Sequence, residues 1–467
     1  MSSRIGRTLA TRLLAQDERP ALTGARRVNS SASDIPLLGR LPQGWRRALG
    51  AISVLWIATA LGAVMAFLTQ ALLARELGPA EYGLFASSLA TVTMVAPLAG
   101  FGLPPYWLQI YGVEGWQGNR WLKPSLRFIT GSTVLTLSLV SVWSFVGAPL
   151  DARPLLLLLL PIVLGVLAVS LISSQLRLEE RHYALALWQL TTPGSRMLVA
   201  AVLLLIPSLD GRFVAIGFSL ISLLVAALAL PRLVAMMHGG IQLHGHGPRP
   251  SAPMAGPSPS VARLWSQAWA YGLEATLYPI FFQVSTVLLK YLDGNTQAGI
   301  FGIALGVMMA IYLIPSTVYQ KFLLSKLHRW AVHDQGKFWK VYRHGAAAML
   351  ASGIVVALVM VLVSPWLVPI IFGEKYHPVV RVLTVLAVCV PVRFLSTALS
   401  SALLNERHMR YRVLAMGLSA VVVVVFNVLL VPRYHEMGAA FATVAGEISL
   451  LLAMYGGVRW FHARKVV

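Results

Sequence analysis

The chain has 467 residues, 57% of them apolar by type and only 12% charged, with a mean hydropathy of +0.71. Soluble domains carry about a quarter charged residues, so a water-soluble fold is excluded. A formal charge of +21 would point to nucleic acid in a soluble protein, but here it is read through topology, and the expected surroundings are a lipid bilayer, with no nucleic acid.

The first 47 residues are polar and Arg-rich, hold no apolar run long enough for a signal peptide, and read as a disordered basic cytoplasmic arm. A transit peptide is the competing reading, and Asp17, Glu18 and Asp34 weigh against it. Beyond the arm, a bilayer core takes about 20 apolar residues per helix. Runs that meet this predict helices at 49–73, 84–104, 128–146, 154–175, 184–206 and 213–230, forming an N-terminal lobe over 48–235. A linker over 236–262 follows, with five prolines and His238, His244 and His246. A flexible polar loop is favoured there over a metal site, because no fixed ligand geometry accompanies the histidines. The C-terminal lobe, 263–460, takes helices at 264–289, 299–319, 346–371, 379–404, 413–431 and 439–458, and 461–467 is a tail. The single cysteine, Cys389, lies in one of these runs, so neither an intrachain disulfide nor a cysteine metal cluster can form.

Lysine and arginine set the orientation. Twenty-nine of the 38 fall on the side of the N-terminus, seven on the other, and Arg196 and Arg393 lie within spans. With an even number of spans, this bias puts both termini and the linker in the cytoplasm. The expected fold is an all-α polytopic membrane protein of about twelve transmembrane helices, in two six-helix lobes around a central cavity.

The halves echo one another. A shift of 216 positions aligns Leu72-Leu73 with Leu288-Leu289, Gly78 with Gly294, Gly83 with Gly299, Phe85 with Phe301 and Leu89 with Leu305. Further on, Ser173-Ser174 and Glu180-Arg181-His182 recur as Ser400-Ser401 and Glu406-Arg407-His408. Six intervening helices give the copies the same orientation, which implies a pseudo-twofold axis along the membrane normal and a site between the lobes.

The stretch from Gln70 through Gly78-Pro79-Ala80-Glu81-Tyr82-Gly83 to Gly100-Phe101-Gly102-Leu103 resembles the opening signature of the oligosaccharide flippases among the polysaccharide biosynthesis membrane proteins. These belong to the multidrug/oligosaccharidyl-lipid/polysaccharide exporter superfamily. Ile371-Phe372-Gly373-Glu374-Lys375-Tyr376, Asn427, Pro432 and Gly438–Thr443 extend the likeness. Two departures stand out: Ser285 where relatives often carry an acid, which bears against carboxylate-based ion coupling there, and Leu324 near a frequent proline. Within the motif itself, Gly78-Pro79 and Gly83 allow a sharp turn, and Arg75, Glu76 and Glu81 hold it in water, which is scaffold chemistry.

Four ionisable groups fall inside spans: Arg196, Glu274, Arg393 and Glu447. Each costs about 2.5 to 3.5 kcal/mol facing lipid on insertion scales, so each faces protein or a wet cavity. The resemblance implies a polyprenyl-diphosphate-linked glycan as substrate, and an arginine fork suits phosphate oxygens. Arg196 and Arg393 fit that role, and pairing with Glu274 and Glu447 as structural bridges is the equal alternative. Pro193, Pro279, Pro315 and Pro391 predict kinks beside them. Gln70, Gln189, Gln267, Gln283 and Asn427 are candidates for sugar hydroxyls, although most such groups satisfy neighbouring helices.

The sequence therefore reads as a transporter and not an enzyme: a flippase moving a lipid-linked oligosaccharide from the cytoplasmic to the periplasmic leaflet of a bacterial inner membrane by alternating access, with polysaccharide polymerase and export machinery as possible partners. A cation-coupled multidrug antiporter is the alternative, and a glycan polymerase or transferase a weaker one, since the outward loops are short. The chain has no Walker motif, Gly-rich nucleotide loop or metal-ligand cluster, so no cofactor is expected.

Overall fold

The computed structural model describes residues 43–206, 209–244, 246–247, 258–318, 335–401 and 406–463. Leu324, most of the basic arm, much of the linker and the last four residues lie outside these. Leu49–Val467 forms one compact unit.

The described residues are helical with no strand, as a bilayer requires of a chain that must satisfy its backbone internally. In chain order the helices are α1 (Gln43–Val95), α2 (Leu103–Glu114), α3 (Leu122–Val146), α4 (Arg153–Leu159), α5 (Pro161–Leu178), α6 (His182–Leu205) and α7 (Gly211–Met237). The second half follows with α8 (Val261–Leu292), α9 (Asn295–Val318), α10 (Gln335–Phe372), α11 (Pro378–Leu386), α12 (Cys389–Ser401) and α13 (Glu406–Ala463). Among them, eight continuous stretches are long and apolar enough to cross a membrane. The first of these, Ser53–Val146, holds three passes; Met409–Trp460 holds two; and α6, 24 residues long with Arg196 and Pro193 inside it, adds another. The chain thus makes the twelve passes that its hydropathy predicts.

Breaks follow local chemistry. Gly78 takes φ 74° and ψ 170°, which turns the chain between the first two passes. His435, at φ 54° and ψ −136°, turns it between the last two despite its Cβ. Asp210 caps α7 by accepting from the backbone of Arg212 and Phe213, and Ser260 caps α8 by accepting from Arg263. Several helices run past their predicted ends, α10 beginning at Gln335 where hydropathy alone predicts 346. The tenth pass is in two pieces, α11 and α12, rather than one.

The outer faces are apolar because their solvent is lipid: Leu139, Val142, Leu220, Leu358, Leu362 and Val421 are exposed. Part of the linker is also packed. Ile241 and Leu243 are buried, and Trp116 Nε1 donates to the Gly247 carbonyl at 3.2 Å.

The two halves meet near both ends of the passes. At the end of the Gly78 turn, Gly83 packs on Asn295 and Gly299. Lys290 Nζ donates to Asp151 Oδ2 at 3.0 Å and to Asn295 Oδ1 at 2.5 Å, and Asn295 Nδ2 donates to Asp151 at 2.9 Å. Trp143 Nε1 donates to the Tyr291 hydroxyl at 2.9 Å, and the Tyr376 hydroxyl to the Ala74 carbonyl at 2.9 Å. At the opposite end, Phe101 stacks on Trp265 with centroids 4.8 Å apart, Gly102 abuts Gly272, and the Tyr106 hydroxyl donates to Gln267 Oε1 at 2.7 Å.

Candidate functional site

Between these two belts of contact lies a cavity of about 670 Å³, lined from both halves by α1, α6, α7, α8 and α9. Its volume falls in the range of about 300–1,000 Å³ usual for small-ligand sites. The wall combines rings (Phe67, Tyr82, Phe85, Phe218, Tyr278, Tyr312) with polar groups (Thr69, Gln70, Thr93, Thr192, Arg196, Gln283, Thr286). Among the described residues, Arg196 is the one charged residue lining it, and no carboxylate does.

Arg196 reaches the cavity from α6, one turn after Thr192 and Pro193, which line it too. The proline removes a backbone hydrogen bond inside the helix, and the cavity-side groups cluster at that point. The guanidinium lies over the Phe218 ring with its carbon 4.8 Å from the centroid, a contact worth about 0.5–2 kcal/mol. It makes no ion pair among the described residues, and its Nε is buried without a hydrogen-bond partner. A buried donor in this state costs about 1–3 kcal/mol, more when charged, so Arg196 presents the cavity with an unsatisfied cationic donor.

The other three ionisable span residues are already engaged. Arg393 donates through Nε at 3.2 Å and Nη2 at 2.6 Å to Glu447 Oε1. The pair sits inside the second half, with Glu447 0% and Arg393 11% exposed at the side chain. Its guanidinium lies 4.5 Å from the Phe282 centroid, 5.1 Å from Tyr312 and 5.5 Å from Phe281. Glu274 pairs with Arg412 at 2.8 Å. Of the two arginines, then, one is bridged to a glutamate and one is not.

The amides divide similarly. Gln70 lines the cavity while its Nε2 donates to the Gly302 carbonyl at 2.9 Å, and Gln283 lines it while its Oε1 accepts from Thr93 at 2.8 Å. Each of these bonds ties the first half to the second. Asn427 is fully buried within the second half, donating to Ser285 Oγ at 3.0 Å and the Val423 carbonyl at 2.8 Å, while Ser285 also meets Thr443 at 3.4 Å. Serine at position 285 thus closes a neutral hydrogen-bonded cluster. Thr93, Thr192, Tyr278 and Tyr312 line the cavity without standing out in the sequence. A usable signal was present: Thr192 and Tyr278 immediately precede Pro193 and Pro279, and Tyr312 lies three residues before Pro315.

A second concavity of about 660 Å³, lined almost wholly by apolar side chains of α1, α9, α10 and α11, adjoins the first. Ala63, Phe67, Ala310 and Leu313 line both.

Outside the spans, burial pushes the Asp151 carboxyl up, but hydrogen bonds from Asn295 and Lys290, and the lysine charge, outweigh it and hold the group below its usual range. The hydrogen bond from His435 to Asp293 Oδ1, at 2.7 Å, raises the imidazole above its ordinary value.

The family model described as "Polysaccharide biosynthesis protein" matches residues 49–320. The chain belongs to this family. Within the turn at Gly78–Gly83, Glu81 Oε1 accepts from the Gly211 backbone at 2.6 Å, a scaffold contact, while Tyr82 lines the cavity. A search of curated proteins finds no match. Among solved structures, this family member is similar in fold to the lipid II flippase MurJ in an inward closed conformation, at 13% identity over 87% of either chain with a TM-score of 0.64. It is also similar to a MATE family multidrug transporter of the MOP superfamily in an inward-facing conformation, at 15% identity over 89% of this chain and 98% of that one, TM-score 0.59. A MOP superfamily transporter from Pyrococcus furiosus gives 15% identity over 89% and 95%, TM-score 0.57.

Proposed function

We propose that the chain is a flippase for a polyprenyl-diphosphate-linked oligosaccharide, carried from the cytoplasmic to the periplasmic leaflet of a bacterial inner membrane by alternating access of lobes 48–235 and 263–460. The observation that carries this reading is the charge of the cavity: among the described residues, it is lined by one guanidinium, which makes no ion pair, and by no carboxylate. Such a wall attracts an anion, and an arginine fork gives paired donors to phosphate oxygens. The amides and threonines of Gln70, Gln283, Thr93 and Thr286 suit sugar hydroxyls, and the rings suit the faces of sugars. The adjoining apolar groove suits a polyprenyl tail, which can remain outside the polar cavity while its headgroup enters. The charge bias of the loops supports cytoplasmic termini. Polymerase and export proteins acting on the delivered glycan are the fitting partners.

Export of cationic drugs, the competing reading, calls for a carboxylate at the cargo. Glu274 and Glu447 are both spent on arginines.

The test uses purified protein in vesicles with a fluorescent polyprenyl diphosphate monosaccharide, transfer being read by an impermeant quencher. Arg196→Ala and Arg196→Gln should slow transfer roughly tenfold or more, the equivalent of one charge-assisted hydrogen bond. Arg196→Lys should retain part, having charge without the fork. Wild-type transfer by Arg196→Gln would overturn the reading.

A further inference from the structure

The pair of Arg393 and Glu447 stands one aromatic layer from the cavity. Tyr312 and Tyr278 line the cavity on one side, and Arg393 rests 5.1 Å from the Tyr312 centroid on the other. Only one oxygen of Glu447 is used. Oε1 takes both guanidinium donors, while Oε2 is buried without a hydrogen-bond partner. Tyr312 is the other polar group against the carboxylate, but Arg393 is its one cationic partner among the described residues. A carboxylate in a fully buried site depends on such a partner for its charge, because an ion left alone in low dielectric neutralises itself by taking a proton.

We propose that Glu447 is a proton-taking latch on a second anion site, which the cargo opens. This rests on the anionic-cargo reading above. The diphosphate, drawn in by Arg196, competes with Glu447 for Arg393, reaching the guanidinium as the Tyr312 ring moves aside. The guanidinium stays charged throughout and passes from carboxylate to phosphate. Glu447 then has no cationic partner and takes up one proton from the aqueous phase, becoming a neutral carboxyl. On release of the cargo the steps reverse: the proton leaves and the pair of Arg393 and Glu447 re-forms. Two arginines from different halves thereby grip one diphosphate, yet the empty protein never carries two unpaired cations. Cargo binding and protonation become linked at a single residue.

The surroundings assign the proton to Glu447. Among the described residues, Tyr278 on α8, Tyr312 on α9 and Cys389 on α12 are the other titratable groups facing the pair. None of them gains a proton between about pH 5 and about pH 8. Among the described residues, no histidine or carboxylate lines the cavity.

The experiment is binding of a polyprenyl diphosphate monosaccharide, whose diphosphate diester does not titrate in this range, to the full chain in detergent from about pH 5 to about pH 8. Binding is measured by calorimetry in buffers of different ionisation enthalpy, which gives the protons taken up. Wild type should take up close to one proton, with affinity rising as pH falls, at most about tenfold per pH unit. Glu447→Gln, a mimic of the neutral carboxyl, should bind with no proton uptake and a flat pH profile. Wild type that binds without taking up a proton would overturn the latch, and this result needs no variant to fold. So would Glu447→Gln that still takes one up. Arg196→Gln separates the two readings. If it binds as well as wild type, the anionic-cargo reading has failed; if it binds weakly while wild type takes up no proton, only the latch has.

Discussion

Gly83 and Gly299, 216 positions apart in the sequence repeat, pack against each other where the first and second halves meet. A Cβ on Gly83 would overlap the Asn295 carbonyl oxygen and stand 2.7 Å from the Gly299 nitrogen; one on Gly299 would overlap the Pro79 carbonyl oxygen and stand 3.1 Å from the Gly83 Cα. Residues that a twofold axis exchanges can touch only near that axis, so the pseudo-twofold axis of the repeat passes by this pair. Backbone cannot yield as a side-chain tip can. Gly83→Ala or Gly299→Ala should therefore part the halves at this end, at a cost of about 1–3 kcal/mol by overpacking. Cysteine placed at Thr93 in the cavity should then react faster with an impermeant thiol reagent. The only native thiol, Cys389, is buried and leaves the background low. Unchanged labelling in both variants would count against this contact holding the halves together.

Acidity should act on the same end in two opposite ways. Asp151 is held below its usual range, so its bonds to Lys290 and Asn295 contribute above the unfolded value of about 3.9 and are lost as pH falls through the lower folded value. His435 is raised, so its bond to Asp293 contributes fully below about 6.5 and is lost as pH rises through the higher folded value. Thermal stability in detergent should peak between these windows. Asp151→Asn should remove the acid limb, and His435→Gln the alkaline one. A variant that keeps the limb it is meant to lose would show that the ion pair contributes nothing.

The wall shared by the groove and the cavity offers a test of the lipid route. Ala310 lines both spaces, and Ala310→Trp puts an indole in the passage. Transfer of the polyprenyl-linked probe should fall strongly, while binding of a water-soluble sugar diphosphate lacking the tail should change less than about threefold, under 1 kcal/mol. Equal loss of both would mean that the substitution damages the cavity itself.

Orientation is open to fusion reporters. A reporter inserted after Gly240, in the linker that the charge bias puts in the cytoplasm, should show cytoplasmic activity, and one after Gly294 periplasmic activity. The reverse pattern would invert the topology and the direction of transport.

What the sequence made legible follows from which forces act locally. Hydropathy is a property of consecutive residues, so the twelve passes could be read in order, and the repeat placed Gly83 and Gly299 as equivalents. The prolines and in-span charges marked Arg196. Pairing, by contrast, is decided by distances between helices far apart in sequence. Nothing local in Glu274 says that it meets Arg412 and not Arg196, or that Glu447 rather than a ligand occupies Arg393. The cavity threonines and tyrosines were hidden for a related reason. A hydroxyl can bond to its own helix, as Thr69 does to the Met65 carbonyl at 2.8 Å, so its presence in a span carries little information until its neighbours are known.

Gln70 and Gln283 act as struts while the cavity is empty, the first bonded to Gly302 and the second to Thr93 across the space between the halves. Each bond is worth about 0.5–1.5 kcal/mol net. If the cargo is the glycan proposed above, its hydroxyls can take over those same amide positions, so that it would supply what the parting halves lose. The loaded protein would then face a lower barrier to rearrangement than the vacant one, and the membrane would be protected from a carrier that swings open with nothing inside.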